Sequence, residues 1–201
     1  SNSSFQLIST INEKISLLEK VGIDVLLIIP FTQEFSQIEA KNYIDDILIE
    51  KLGVKKFVIG HDHKFGKNRE GNFDLLLEYG KKQNFDVIEI SQKTINENIV
   101  SSTTIREALS SGNIQTANTF LGTNYSLKGK VIEGNQLGRE MGFPTANIQV
   151  SDSRKLIPKP GVYAVYIEID NNSFEGMLNI GNRPTINLSQ DQQQDAFYAN
   201  T

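Results

Sequence analysis

Phe57-Val58-Ile59-Gly60-His61-Asp62-His63-Lys64-Phe65-Gly66-Lys67-Asn68-Arg69-Glu70-Gly71 decides how the first half of the chain reads. Three consecutive apolar residues run straight into a glycine, and a charged, glycine-hinged loop follows before a helical pattern resumes at Phe73, Leu76 and Leu77. An unbroken apolar run, in place of apolar–polar alternation, fits a strand covered on both faces, the habit of parallel sheets. The figure repeats on either side. Upstream, Val25-Leu26-Leu27-Ile28-Ile29 is another such run, stopped by Pro30; downstream, Val87-Ile88-Glu89-Ile90 reads as a third strand.

Helical patterns fill the intervals. Thr10-x-x-Glu13 is a capping box ahead of Ile11, Ile15 and Leu18, closed by Gly22. Ser36-x-x-Glu39 predicts a second box, opening a helix with Ala40, Tyr43, Ile44, Ile47 and Leu48 on one face and ending near Gly53. Two further helices are expected over 103–110 and 114–121, with Gly122 as the stop. Strand–helix alternation at this spacing predicts a parallel sheet covered by helices. Ligands of such sheets sit beyond the carboxyl ends of the strands, so the loops after Ile29, Ile59 and Ile90 are where chemistry is to be sought.

The pattern changes near residue 124, which divides the chain into modules 1–122 and 123–201. From Tyr125 onward Gly, Pro and Asn rise and helical spacing disappears. Leu127 to Val131 and Val162 to Ile169 read as strands, and Asn171-Asn172 as a hairpin turn returning through Phe174 to Ile180. This is an all-β module, a small barrel or a sandwich. Ser189 to Asp195 is polar, Gln-rich and of low complexity, and is expected to be flexible.

Composition narrows the function classes. The chain has 201 residues and a net charge of −4, which argues against a nucleic-acid coat or a polybasic membrane anchor. With no cysteine there is no disulfide, thiolate nucleophile, Cys-ligated zinc or iron–sulfur cluster. The longest apolar run, Val25 to Ile29, is far too short to span a bilayer as a helix. The expectation is a soluble, cytoplasmic protein with no membrane, nucleic-acid or obligate protein partner.

Three segments could carry chemistry, and each has a plainer reading. Ser101-Ser102-Thr103-Thr104-Ile105-Arg106 stands at a helix start, where hydroxyls, first-turn N–H groups and the positive dipole end suit phosphate, and Arg106 can add a bidentate contact. It reads equally as an ordinary Ser/Thr cap beside a surface Arg. In the loop Gly60 to Gly71, Asp62 and Phe65 could meet a planar ligand while Lys64, Lys67 and Arg69 attract a polyanion; a solvated basic loop or a His–Asp metal site are the other readings. Gly134 to Asn147 places Gly134, Gly138 and Gly142 before Thr145-x-Asn147, an arrangement that lets backbone approach phosphates and offers two hard oxygens to Mg²⁺, or that simply starts a strand after a tight turn.

In order, GxDxxFGxxxxG (Gly60 to Gly71), SSTTIR (Ser101 to Arg106), GRxxGFPTAN (Gly138 to Asn147) and NIGxRPT (Asn179 to Thr185) resemble the bacterial bifunctional riboflavin kinase/FMN adenylyltransferase family, the FAD synthetases. The resemblance covers about residues 5–187. It implies an α/β nucleotidyltransferase-like (Rossmann-like) domain that transfers AMP from ATP to FMN, followed by an all-β riboflavin-kinase-like barrel that phosphorylates riboflavin. On that resemblance, Ser101, Ser102, Thr104 and Arg106 bind ATP in the adenylyltransferase; Asp62, Phe65 and Gly66 lie on the flavin side. Gly138, Arg139, Gly142, Thr145 and Asn147 bind ATP in the kinase, Thr145 and Asn147 also holding Mg²⁺. ATP, riboflavin, FMN and FAD are then substrates or products.

The chain departs from the family pattern in two places. No HxGH motif occurs, the only histidines being His61 and His63, and nothing after Thr185 matches the family's general-base Glu. No catalytic residue is therefore assigned, and the chain reads as an internal piece of a longer protein. Two other functions fit the same residues: a non-catalytic flavin- or nucleotide-binding module, and an adenylyltransferase with an accessory β-domain.

Overall fold

The computed structural model describes residues 6–133 and 145–181, and 196–200 for the backbone alone. Residues cluster into two compact units: Ile23–Ile99, and Ser1–Gly22 with Val100–Thr201.

The second of these begins with α1 (Ile11–Lys20), where the expected capping box forms: Thr10 Oγ1 accepts from Glu13 N, and Glu13 Oε2 accepts from Thr10 N at 2.8 Å. Gly22, at φ 81°, follows its end.

In the unit Ile23–Ile99, α2 (Gln33–Ser36) and α3 (Ala40–Asn42) lead into a π-helix, Tyr43–Lys51. β1 (Lys56–Gly60) then pairs in parallel with β2 (Asp86–Ile90), Phe57 opposite Val87 and Ile59 opposite Glu89. Between them runs α4 (Phe73–Gln83), capped by Asn72 Oδ1, which accepts from Leu75 N at 2.9 Å. Ile44, Leu48, Ile59, Leu76 and Phe85 form the core that joins helices to sheet. Gly80 permits this packing, since a Cβ there would stand 2.6 Å from the Phe85 carbonyl oxygen. A hairpin that the sequence reading did not anticipate, β3 (Thr94–Ile95) with β4 (Asn98–Ile99), turns through Asn96 and Glu97 at φ 48° and 65°.

Three expectations fail here. Val25 to Ile29 forms no strand; it is irregular, with Val25 82% and Ile28 56% exposed. Strand propensity supplies the side chains but not the neighbour whose N–H and C=O groups a strand must bond. Among the described residues, β1 pairs only with β2. For the same reason the unbroken apolar runs are not covered on both faces: Val58, Ile88 and Ile90 are exposed. The box at Ser36 also fails. Ser36 ends α2, its hydroxyl donating to the Gln33 carbonyl at 2.6 Å, and Thr32 caps that short helix. The next helix opens at Ala40, whose N–H donates to Glu70 Oε1 at 2.9 Å, a cap thirty residues away that no local pattern reveals.

In the other unit, α5 (Ser102–Ser111) and α6 (Ile114–Leu121) form as expected, stopped by Gly112 and Gly122 at φ 84° and 73°. Ile105, Ala108, Leu109 and Ala117 pack with Leu156, and Ile8, Phe120 and Tyr125 close around them. The β-module is one antiparallel sheet of five strands in the order β5-β6-β9-β8-β7: β5 (Gly129–Ile132), β6 (Ala146–Val150), β7 (Gly161–Ile169), β8 (Asn172–Gly181) and β9 (Ala196–Asn200). The β7–β8 turn falls on Asp170 and Asn171, at φ 47° and 65°, one residue earlier than the sequence suggests, so that Ile169 faces Asn172. Along β7, half-buried Tyr163, Val165 and Ile167 alternate with exposed residues, the signature of a sheet packed on one face. No pairing among the described residues closes this sheet into a barrel. β9 was not anticipated; its partner β6 is far away in sequence, and the Gln-rich stretch lies between it and its other partner, β8. The Gln-rich stretch Ser189 to Asp195 lies outside the described residues.

Candidate functional site

The start of α5 is built by its own residues. Ser101 Oγ accepts from Thr104 N at 3.2 Å, while Thr104 Oγ1 accepts from Ser101 N at 3.0 Å and donates to Ser101 O at 2.9 Å. Two of the hydroxyls expected to meet phosphate thus close the helix end, and Ser102 and Thr103 are exposed on its first turn. First-turn N–H groups have no intrahelical acceptor, so this end attracts an anion through backbone donors and dipole together. Arg106 lies one turn in, and its Nε donates to the Gln6 carbonyl at 3.1 Å. The Gln6 carbonyl thereby reaches Arg106, a contact that sequence reasoning missed; a bond spanning one hundred residues leaves no local signal.

The loop after β1 is pinned at several points. Phe65 and Gly71 exchange backbone hydrogen bonds of 3.1 and 2.8 Å, and Lys67 N donates to Ile38 O at 2.7 Å. Gly66, at φ 73°, approaches so closely that a Cβ would fall 2.7 Å from the Ala40 backbone. Half-buried Phe65 sits 5.5 Å from Tyr43, which continues to Phe35 at 6.1 Å and Phe31 at 5.8 Å, all as ring centroids. Burial pushes the Tyr43 hydroxyl's pKa up, keeping it protonated. Asp62 is exposed in the turn that follows β1, and His61 Nδ1 lies 3.2 Å from Glu89 Oε1 on the neighbouring strand end. An aromatic row and, in the same loop, an exposed carboxylate are the kinds of group that a planar ligand bearing polar edges would use. Among the described residues no group of three His, Asp or Glu could hold a metal ion.

Thr145 and Asn147 stand at and just inside the start of β6, both half-buried. Asn147 faces Tyr198 of β9, and Asn179 of β8 faces the same Tyr198 from the other side. Directly opposed residues share a sheet face, so Asn147 and Asn179 lie in one row on one face. Asn179 was quoted within a motif but not singled out as a site residue; only the unanticipated β9 brings it into register. Gly138, Arg139 and Gly142 lie outside the described residues.

The chain thus offers a capped helix start and opposed amides on a β-sheet in one unit, and an aromatic loop at a parallel strand end in the other, groups of the kind that suit phosphate- and ring-bearing ligands. The chain belongs to the FAD synthetase family, whose family model matches residues 1–104, while the riboflavin kinase model matches residues 121–199.

The bifunctional riboflavin kinase/FMN adenylyltransferase of Buchnera aphidicola subsp. Schizaphis graminum is 44% identical over 181 residues, covering 89% of this chain and 57% of that protein. The proteins of that description from Haemophilus influenzae and Escherichia coli K12 are 41% and 36% identical, with 88% and 89% of this chain covered and 57% of each relative. The chain therefore spans well under two thirds of the length of these curated relatives. A solved structure described as a macrolide-efflux protein from Streptococcus pneumoniae superposes with a TM-score of 0.86 at 28% identity, over 98% of this chain and 61% of that one.

Proposed function

We propose that the chain belongs to an enzyme of flavin-cofactor biosynthesis that phosphorylates riboflavin to FMN with ATP and transfers AMP from ATP to FMN, giving FAD and pyrophosphate. In this reading residues 1–122 are the nucleotidyltransferase-like α/β domain and 123–201 the riboflavin-kinase-like barrel. The observation that carries it is the start of α5, where a self-capped Ser101–Thr104 end leaves first-turn donors beside Arg106. Fold likeness alone is shared by many chemistries, so the weight rests on these residues and their family match.

The proposed roles follow from chemistry. The α5 N–H groups and the Arg106 guanidinium hold nucleotide phosphates, Ser101 and Thr104 fix the helix end that presents those donors, and Ser102 adds a hydroxyl. Phe65 and the ring row behind it offer a face for the isoalloxazine, Gly66 lets the loop dock, and Asp62 meets the flavin's polar edge. Gly138, Arg139 and Gly142 are proposed to hold ATP in the kinase module. Thr145 and Asn147 supply two neutral oxygens and no carboxylate, which fits Mg²⁺ only when nucleotide phosphates complete its shell. Bound there, Mg²⁺ would offset phosphate charge during transfer. Such a protein works in the cytoplasm with small-molecule partners; no helix among the described residues is long and apolar enough to cross a membrane.

Titrating the chain with riboflavin, FMN and FAD by flavin fluorescence, with and without Mg²⁺–ADP, tests the reading, with turnover assayed in the same samples. Nucleotide-dependent flavin binding that Asn147→Ala or Arg106→Ala weakens supports it. Binding without turnover assigns this chain a binding role and leaves transfer to groups outside it. A folded chain that binds neither flavin nor nucleotide overturns it.

A further inference from the structure

Lys155 is the one charged residue found in the core among the described residues, 3% exposed, and the partners around it are unusually complete. Its Nζ donates to the Ile8 carbonyl at 2.7 Å and to Glu13 Oε2 at 2.7 Å, and lies 4.4 Å from the centroid of the Tyr125 ring. The same Glu13 oxygen accepts from Thr10 N, so the capping box of α1 and the ion pair share one atom. Tyr125 in turn donates its hydroxyl to the Leu156 carbonyl at 2.6 Å. Burial lowers the Lys155 pKa while Glu13 opposes that, the balance expected of a desolvated but paired ammonium.

What this cluster holds is the segment 6–8. Leu7 N donates to Arg154 O at 2.7 Å, and Leu156 N donates to Leu7 O at 2.8 Å, a parallel bridge with Lys155 at its centre. The Leu7 N–H and the Gln6 carbonyl belong to one planar trans peptide and point in opposite directions. One end of that peptide is therefore fixed on Arg154, and the other end accepts from Arg106 Nε. Turning the peptide would move the acceptor that orients the guanidinium.

The geometry assigns Lys155 a positioning role: by holding residues 6–8 through Ile8 and Glu13, it aims Arg106 at the nucleotide phosphates bound at the start of α5. The inference rests on the phosphate role proposed for Arg106. It makes a residue of the riboflavin-kinase-matched segment a determinant of nucleotide binding at a helix whose first residues close the FAD-synthetase match, with no contact between Lys155 and nucleotide.

The test is a mutant cycle on the full chain, read by calorimetric titration with ATP in Mg²⁺ buffer, with chain unfolding checked for every variant. The binding phase weakened by Arg106→Ala defines the site. Lys155→Met, which keeps most of the packing volume, should weaken that phase about three- to thirty-fold, the span of couplings carried through packed networks. In the Arg106→Ala background it should add less than about two-fold, because the route runs through Arg106. Glu13→Gln, which leaves the Lys155–Ile8 bond in place, should give a smaller loss of the same kind and serves if Lys155→Met does not fold. An equal loss in both backgrounds would reduce Lys155 to general stability and overturn the inference, as would no loss where Arg106→Ala has one. If Arg106→Ala itself changes nothing, the phosphate role falls first and the inference with it.

Discussion

Val25–Ile29 and the start of α5 carry comparably strong sequence signals, yet only the helix forms. A helix closes its hydrogen bonds on itself, and here even its end is sealed by residues three apart, Ser101 and Thr104. A strand closes its bonds only on another strand. Five consecutive apolar residues, three of them β-branched, therefore remain irregular, while β1 and β2, no more apolar, form because they find each other. The difference separates what a sequence window can specify alone from what it can only make available, and it predicts where substitutions will matter.

The largest effect should come from cutting the core that α5 finds and Val25–Ile29 lacks. Leu109 is fully buried between α5, α6 and Leu156, whereas Leu27 is 54% exposed. Leu109→Ala is expected to cost about 3 kcal/mol and Leu27→Ala less than about 0.5 kcal/mol, by urea denaturation of each. A comparable loss at Leu27 would mean that the apolar run is packed in solution and that the contrast is false.

Two caps sharpen the comparison at a smaller scale. Ser101 caps α5 from within its own sequence, and Glu70 caps α3 from thirty residues away. Each satisfies one first-turn N–H, so Ser101→Ala and Glu70→Ala should each cost about 1 kcal/mol. They should differ in a second readout. Glu70→Ala also releases the loop from Ala40, so amide hydrogen exchange should rise at Lys67, Phe65 and Gly71 as well as at Ala40, while Ser101→Ala should affect only the first turn of α5. Exchange confined to Ala40 in the Glu70 variant would show that the loop is held without its distant cap.

The same division explains what could be read in advance. The self-contained elements were legible: the capping box of α1, the bounds of α5 and α6, the glycine stops, the hairpin β7–β8, and the residue set at the start of α5; β1 and β2 were legible as apolar runs, although each needs the other to form. The failures were non-local. The box at Ser36 matched a local pattern that Glu70 supersedes, and β9, which sets Asn147 and Asn179 in one row, gives no hint of its partners. Nothing in the sequence singles out Lys155, since its partners Ile8 and Glu13 lie more than 140 residues away. Gly112 and Gly122 stand at the left-handed positions that helix stops require, and this fixed chemical need is why they were readable.

The smallest effect should come from a charge pair that is local and solvated. Arg154 donates to Asp152 from Nε at 3.1 Å and from Nη2 at 2.9 Å, only two residues along the chain. The Arg154 side-chain bonds, reinforced by its backbone N–H, hold the Asp152 pKa below the usual carboxylate value. A carboxylate depressed in the folded state adds stability above its unfolded pKa and loses it as pH falls through the folded one. Asp152→Asn should therefore flatten the acid limb of the stability profile: its small loss appears at neutral pH and vanishes in acid, where Asp152 is protonated in the parent as well, and added salt should shrink that loss because the pair is exposed. This makes it the counterpart of Lys155–Glu13, whose ammonium is withdrawn from water. Both pairs flank the bridge to Leu7, but only the buried one leaves unpaired polar groups in the core when it is cut. If Asp152→Asn destabilises at pH 7 as much as Lys155→Met, the bridge is held by the turn at Asp152, and the non-local clamp is not what fixes residues 6–8.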